Sequence, residues 1–212
     1  MPSALLESYF WIRTYVSEAK CFVQPHAAIV RQRYPGIHVS LTDAAPDRAL
    51  EQVRQRQADF ALTARGPGMV GFQHRLLFSE NFVLVCHRSH PLAKRKRLTL
   101  DDLAGQDYIR MVRHGSIQQH LEKFFRDIPI NDIGLEVEQV STVAGLVASN
   151  LGVCLIPGLA IPYFDRKVVV TVPIGGADLA RPIYLVWRSA GVLSPAAQSF
   201  VDMLTIPGTA KG

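Results

Sequence analysis

Residues 80–104 read ENFVLVCHRSHPLAKRKRLTLDDLA. An apolar strand over 82–85 runs into a histidine-proline turn, then a basic tract, then a helix start at Leu100-Asp101-Asp102-Leu103. The change from apolar run to turn residues and charge marks a seam, where the chain leaves one compact half and enters another. With 212 residues there is room for two lobes, each burying its own core.

On both sides of the seam strands and helices alternate. Residues 9–15 read as a strand. Val23, Ala27, Val30 and Tyr34 then recur at the spacing of one helix face, and Pro35-Gly36 stops that helix. Residues 37–41 alternate as a strand, Pro46 opens a second helix with Ala49, Leu50 and Val53 inward, and 60–63 form a short buried strand before the loop Arg65-Gly66-Pro67-Gly68. A β-α-β-α-β run predicts a parallel sheet with right-handed crossovers. After the seam, strands are expected over 108–112, 135–140, 153–156, 168–172 and 183–187. One helix runs from Gly115-Ser116 through Leu121, Phe124 and Phe125, with Ser116 read as its cap. A second carries Val143, Leu146 and Val147 inward and ends at Asn150, a residue that tolerates the left-handed conformation. The last helix has Ser194 as N-cap, Pro195 in its first turn, and Ala197, Phe200, Val201 and Leu204 as its buried stripe.

Composition narrows the function classes. Apolar content of 48% with 19% charge is that of a folded domain and not of a disordered chain. No apolar run approaches the roughly 18 residues of a membrane span. The start, MPSALLESYFWIR, lacks the three regions of a signal peptide, so a cytoplasmic location is expected. Cys21, Cys86 and Cys154 are far apart in apolar contexts and read as buried thiols, Cys21 being the one to test for reactivity. His87 and His90 lack ligand-spaced neighbours, so neither a metal nor another cofactor is expected. Much of the net charge of +5 sits in Lys94-Arg95-Lys96-Arg97. That tract has neither interleaved aromatics nor helical period; it reads as a solvated loop, with an electrostatic contact to DNA or a partner as the alternative. No helix-turn-helix is recognisable. Nor is there a Gly-rich phosphate loop, a G-x-S-x-G elbow or a carboxylate pair, so no enzyme is expected.

A set of fragments in fixed order then carries a resemblance. Tyr34-Pro35-Gly36-Ile37, Ala58-Asp59-Phe60-Ala61-Leu62, Leu77-Phe78-Ser79-Glu80 into His90-Pro91-Leu92-Ala93 and Leu100-Asp101-Asp102-Leu103-Ala104, Gly115-Ser116, Leu146 through Val153 with Leu155-Ile156-Pro157, and Leu193-Ser194-Pro195-Ala196-Ala197 occur in the order of the effector-binding domain of LysR-type transcriptional regulators. The chain resembles that domain over nearly its whole length.

The resemblance implies an α/β, type 2 periplasmic-binding-protein-like fold: two Rossmann-like lobes, residues 9–85 plus 189–206 and residues 86–188, joined by two crossover strands. The strand over 82–85 would be one hinge. It implies a small anionic effector, such as a carboxylate, bound in the interlobe cleft at strand carboxyl ends and helix N-termini. The positions it points to are Ser17, Glu18 and Ala19 at the first helix start, Arg65 past a strand end, Arg110 and Met111 at a strand end, and Thr142 at a helix start. Pro46 departs from the family's Ser or Thr at the second helix start. The resemblance also implies a homodimer or homotetramer, with the helices over 22–34 and 116–126 as pairing surfaces. DNA would be contacted only through an N-terminal helix-turn-helix domain absent from this chain, and no membrane would be involved. The alternatives on the same fold are a transporter's solute-binding protein and an enzyme.

Overall fold

The computed structural model describes residues 8–14, 23–64, 69–112, 115–175 and 179–204. In chain order the first elements are β1 (Ser8–Thr14), α1 (Gln24–Arg33), β2 (Ile37–Asp43), α2 (Pro46–Arg54), β3 (Phe60–Ala64), β4 (Phe72–Glu80) and β5 (Phe82–His87). Single 3-10 turns at Pro91–Lys94 and Leu100–Leu103 lead to β6 (Asp107–Met111), α3 (Ser116–Glu122), β7 (Asn131–Val137), α4 (Val140–Ala148) and β8 (Cys154–Pro157). A 3-10 segment at Gly158–Tyr163 is followed by β9 (Val169–Pro173), β10 (Arg181–Arg188) and α5 (Pro195–Leu204). The chain divides into two compact units, Met1–Ser79 with Pro182–Gly212, and Glu80–Arg181.

The first unit is built on a five-stranded sheet of order β2-β1-β3-β10-β4. β1 pairs in parallel with β2 and β3, as the β-α-β-α-β reading requires, while β10 enters antiparallel to β3. β3 is buried on both faces, the pattern of a central strand. Phe60 and Leu62 pack with Ile12, Val30, Leu185 and the inner stripe of α5. Ala61 turns to the opposite face, with Ala49, Leu50 and Val53 of α2 and Val186. The start of α5 is as expected: the Ser194 hydroxyl accepts from the Ala197 N–H at 3.2 Å, and Ala197, Phe200, Val201 and Leu204 are buried. β4 has no counterpart in the sequence reading. It lies at the sheet's edge, so its polar and apolar residues need not follow a strict period.

In the second unit β5 is the centre of an antiparallel sheet of order β8-β5-β9, and β6 and β7 form a parallel pair. An isolated parallel bridge between Tyr108 and Val153 brings β6 beside the start of β8. Two backbone bonds hold it, Ile109 N–H to Val153 O at 2.9 Å and Val153 N–H to Asp107 O at 2.8 Å.

Three expectations are corrected. The unit boundaries fall at 79/80 and 181/182, not at 85/86 and 188/189. The 82–85 strand therefore belongs to the second unit: it pairs on both sides with β8 and β9, and Phe82, Leu84 and Val85 are buried there. The strand expected over 135–140 is β7, which starts earlier because Asn131 pairs with Asp107, and Val140 already belongs to α4. Finally, α3 ends at Glu122, short of Phe124 and Phe125; Phe125 is buried nonetheless, its ring edge-on to Tyr108.

The Asn150-Leu151-Gly152-Val153 turn shows why local chemistry matters here. Asn150 takes φ +57° just past α4, and Gly152 brings the chain against β6. A Cβ at Gly152 would sit 2.6 Å from the Asp107 carbonyl oxygen, which the neighbouring Val153 N–H holds in place. Gly152→Ala is expected to cost about 1–3 kcal/mol through this overpacking. In urea unfolding it should lower the midpoint with little change in slope; an unchanged midpoint would show that the β6–β8 bridge is not rigid.

Candidate functional site

Within the second unit, the carboxyl ends of the parallel strands β6 and β7 lead to α4, whose first turn is open. The N-cap residue Gln139 makes no side-chain cap bond, and no acidic residue lies in the first turn. Thr142 and Val143 N–H groups donate back to the Gln139 carbonyl at 3.0 and 3.1 Å. The N–H groups of Val140 and Ser141 precede any intrahelical acceptor, and the helix dipole concentrates partial positive charge on them. Ser141 and Thr142 are both exposed, so two hydroxyls stand at this terminus. Such an end is suited to an anion.

The other residues singled out from sequence fall differently. Arg110 lies on β6, but its Nε donates to Asp132 Oδ2 at 2.7 Å. Asp132 is the register partner of Tyr108 and also accepts from the Gly134 N–H at 3.0 Å. The bulge at Gly134, with φ +72°, thus presents this carboxylate and draws the guanidinium toward the amino end of β7, away from Thr142. The Met111 side chain is buried in the second unit's core. Ser17, Glu18, Ala19 and Arg65 lie outside the described residues, as does Cys21.

One cluster escaped the sequence reading. Arg181 is fully buried; its Nε donates to Glu80 Oε1 at 2.9 Å, its Nη2 reaches the same oxygen, and its Nη1 donates to Ser116 Oγ at 3.1 Å. Ser116 is therefore not the cap of α3. Gly115 occupies that position, and Ser116 begins the helix with its hydroxyl turned to the arginine. Glu80 and Arg181 are the first and last residues of the second unit. The only signals in the sequence are an acid just before an apolar strand and an arginine just before Pro182.

The remaining reactive groups are quiet. Cys86 and Cys154 are fully buried, and burial pushes their thiols up to about 11 and about 12. Tyr108, which accepts from the Leu155 N–H at 3.2 Å, is likewise raised by burial. The basic tract is exposed at all four residues, with Arg95 paired to Asp102 at 3.4 Å. No group of three or more His, Cys, Asp or Glu able to hold a metal ion occurs among the described residues, and none of their helices is long and apolar enough to cross a membrane.

The family model of the LysR substrate binding domain matches residues 15–206. The chain belongs to this LysR domain family. YbhD of Escherichia coli K12, an uncharacterized HTH-type transcriptional regulator, is 30% identical over 172 residues, 81% of this chain and 54% of its own length. The chain thus spans about half of that relative. Among solved structures, the regulatory domain of CcmR from Synechocystis PCC6803 in complex with 2-PG superposes with a TM-score of 0.82 at 17% identity, covering 93% of this chain and 96% of that one. The BenM effector binding domain with benzoate gives 0.81 at 21%, covering 94% and 91%. These likenesses establish the fold of this LysR domain as the periplasmic-binding-protein-like α/β fold.

Two predictions follow from the buried groups of this LysR domain. Replacing Arg181 by Met leaves the Glu80 carboxylate buried without its main partner and should cost about 3–5 kcal/mol in urea unfolding. Replacing both, Glu80→Leu with Arg181→Met, should recover most of that loss; equal losses in the single and double variants would show that the ion pair is not the cause. For the thiols, a Cys21→Ser chain should react with a thiol reagent at neutral pH only after unfolding. A thiol raised on folding adds stability that is full below its ordinary value of 9.0 and is lost as pH climbs toward about 11. The urea midpoint should fall across that window, and less steeply in Cys154→Ala.

Proposed function

We propose that this chain is the ligand-sensing region of a LysR-type transcriptional regulator. It binds a small anionic effector and passes the event to a helix-turn-helix module elsewhere in the full-length protein. The family match over residues 15–206 carries this reading, and longer relatives that are named as HTH-type regulators, of which the matched region is 54–58%, support it. The anionic preference rests on the open first turn of α4, where free N–H groups, two hydroxyls and no acid coincide. The benzoate carried by one related structure is of the same charge class. The proposed effector contacts are Thr142 with its turn, Ser17, Glu18, Ala19 and Arg65. Met111 serves as core packing of the second unit, and Arg110 acts only after leaving Asp132.

The protein acts in the cytoplasm as a homodimer and is a binding module, not an enzyme. α1 presents Ile29, 50% exposed, and with α3 it supplies the pairing surfaces. The exposed basic tract is a solvated loop rather than a DNA contact, since Arg95 is paired within the chain.

A thermal-shift screen of small carboxylates, aromatic acids and amino-acid derivatives tests the reading. A true effector at a hundredfold excess over its Kd should stabilise the domain by about 2.7 kcal/mol. Thr142→Ala should weaken that response, and light scattering should show a dimer. Turnover of a hit, or a response untouched by both Thr142→Ala and Ser17→Ala, would overturn it.

A further inference from the structure

Within the first unit a cavity of about 530 Å³ opens between β4, the end of β10, the 189–193 loop and α5. Of the ten residues lining it, Arg75 alone is charged. Its Nε and Nη2 are shielded from solvent, and neither has a hydrogen-bond partner among the described residues. Buried guanidinium nitrogens without an acceptor are rare in native proteins, because such a group forfeits its hydration for nothing. Gln73, Ser189 and Gln198 add neutral polar groups to the same wall, while Trp187, Leu193 and Val201 make the rest apolar. The Gln198 amide nitrogen donates to Asp202, an exposed residue of α5, at 2.7 Å.

Strand polarity places this cavity at a definite end of the sheet. β10 runs antiparallel to β3, with Val186 opposite Ala61, so Trp187 and Ser189 lie at or beyond the amino end of β3. Arg65, by contrast, follows the carboxyl end of β3, the end at which helix-terminus logic expects an effector. The two ends of one sheet are separate places.

We propose that the Arg75 cavity is a second small-molecule site, which takes a monocarboxylate with an apolar or aromatic body. On binding, the Arg75 side chain turns its shielded Nε and Nη2 to the carboxylate in the two-pronged geometry that a guanidinium offers, and the body rests on Trp187 and Leu193. A single positive charge without an acid in the lining selects one negative charge, and the apolar wall selects against inorganic anions.

The test uses the full chain carrying Trp11→Phe, so that Trp187 is the sole indole and reports locally. Benzoate is the probe, with acetate and the neutral isostere benzamide beside it. Benzoate should change Trp187 fluorescence saturably, and acetate and benzamide should bind at least tenfold more weakly. Arg75→Gln should weaken benzoate by about 10- to 100-fold, as expected for a lost charge-assisted bond. Ala190→Phe, at an exposed lining position, should block the cavity without adding an indole. Thr142→Ala should leave the Trp187 signal unchanged, which separates this site from the effector reading. No saturable signal, or an equal signal in Arg75→Gln, would overturn the proposal. So would light scattering in which benzoate and Arg75→Gln each dissolve a dimer, since the carboxylate would then belong to a second copy of the chain.

Discussion

The second unit depends on one buried ion pair. Glu80 and Arg181 are 101 residues apart, yet they meet with both side chains withdrawn from water. Everything between them, five strands and their helices, is a loop whose two ends this contact holds together. Closing so long a loop is entropically unfavourable, and the cost grows only slowly with length. The pair itself adds little net stability over an apolar substitute of the same size. Its weight lies in how few arrangements satisfy it: the Ser116 hydroxyl accepts the third guanidinium nitrogen, so α3 is fixed to the same point. An error of register in β4 or β10 would leave a charge buried and unpaired, a far larger penalty than the pair's own contribution.

That contact also explains which parts of the fold were legible in the sequence. Features set by neighbours along the chain could be read directly: the Ser194-Pro195 start of α5, the Pro46 start of α2, the left-handed Asn150, and the Phe60-Ala61-Leu62 alternation of β3. Each is local chemistry or a local period. β4 could not be read, because an edge strand with water on one side has no strict pattern to obey. Nor could Arg181 be matched to Glu80, since no local rule selects a partner across 101 residues. The boundary at 82–85 was misplaced for a related reason. An apolar run signals burial, but not in which unit it is buried.

The candidate effector residues divide along the same line. Thr142 could be anticipated because a helix start after a strand is a local signature, and the open turn of α4 has that form. Arg110 has the right residue type at the right strand, but Asp132 reaches it through a bulge that only the Gly134 backbone reveals. Charge type alone therefore overstates how many arginines are available to a ligand. The same caution applies to the net charge of +5, most of which is solvated surface. That charge raises the local concentration of anions and gives them no binding geometry.

The thiols limit how such a domain can be switched. Oxidation and disulfide exchange run through the thiolate, and a thiol raised to about 11 or 12 presents almost none at neutral pH. Cys86 and Cys154 also sit on β5 and β8, strands that pair directly, with Val85 opposite Cys154. Access for an oxidant would require opening the centre of the second unit's sheet. The first turn of α4 differs in kind, since Ser141 and Thr142 are exposed without any opening of the sheet. For these two cysteines, then, the same burial that packs the sheet also keeps the thiols protonated and out of reach of an oxidant.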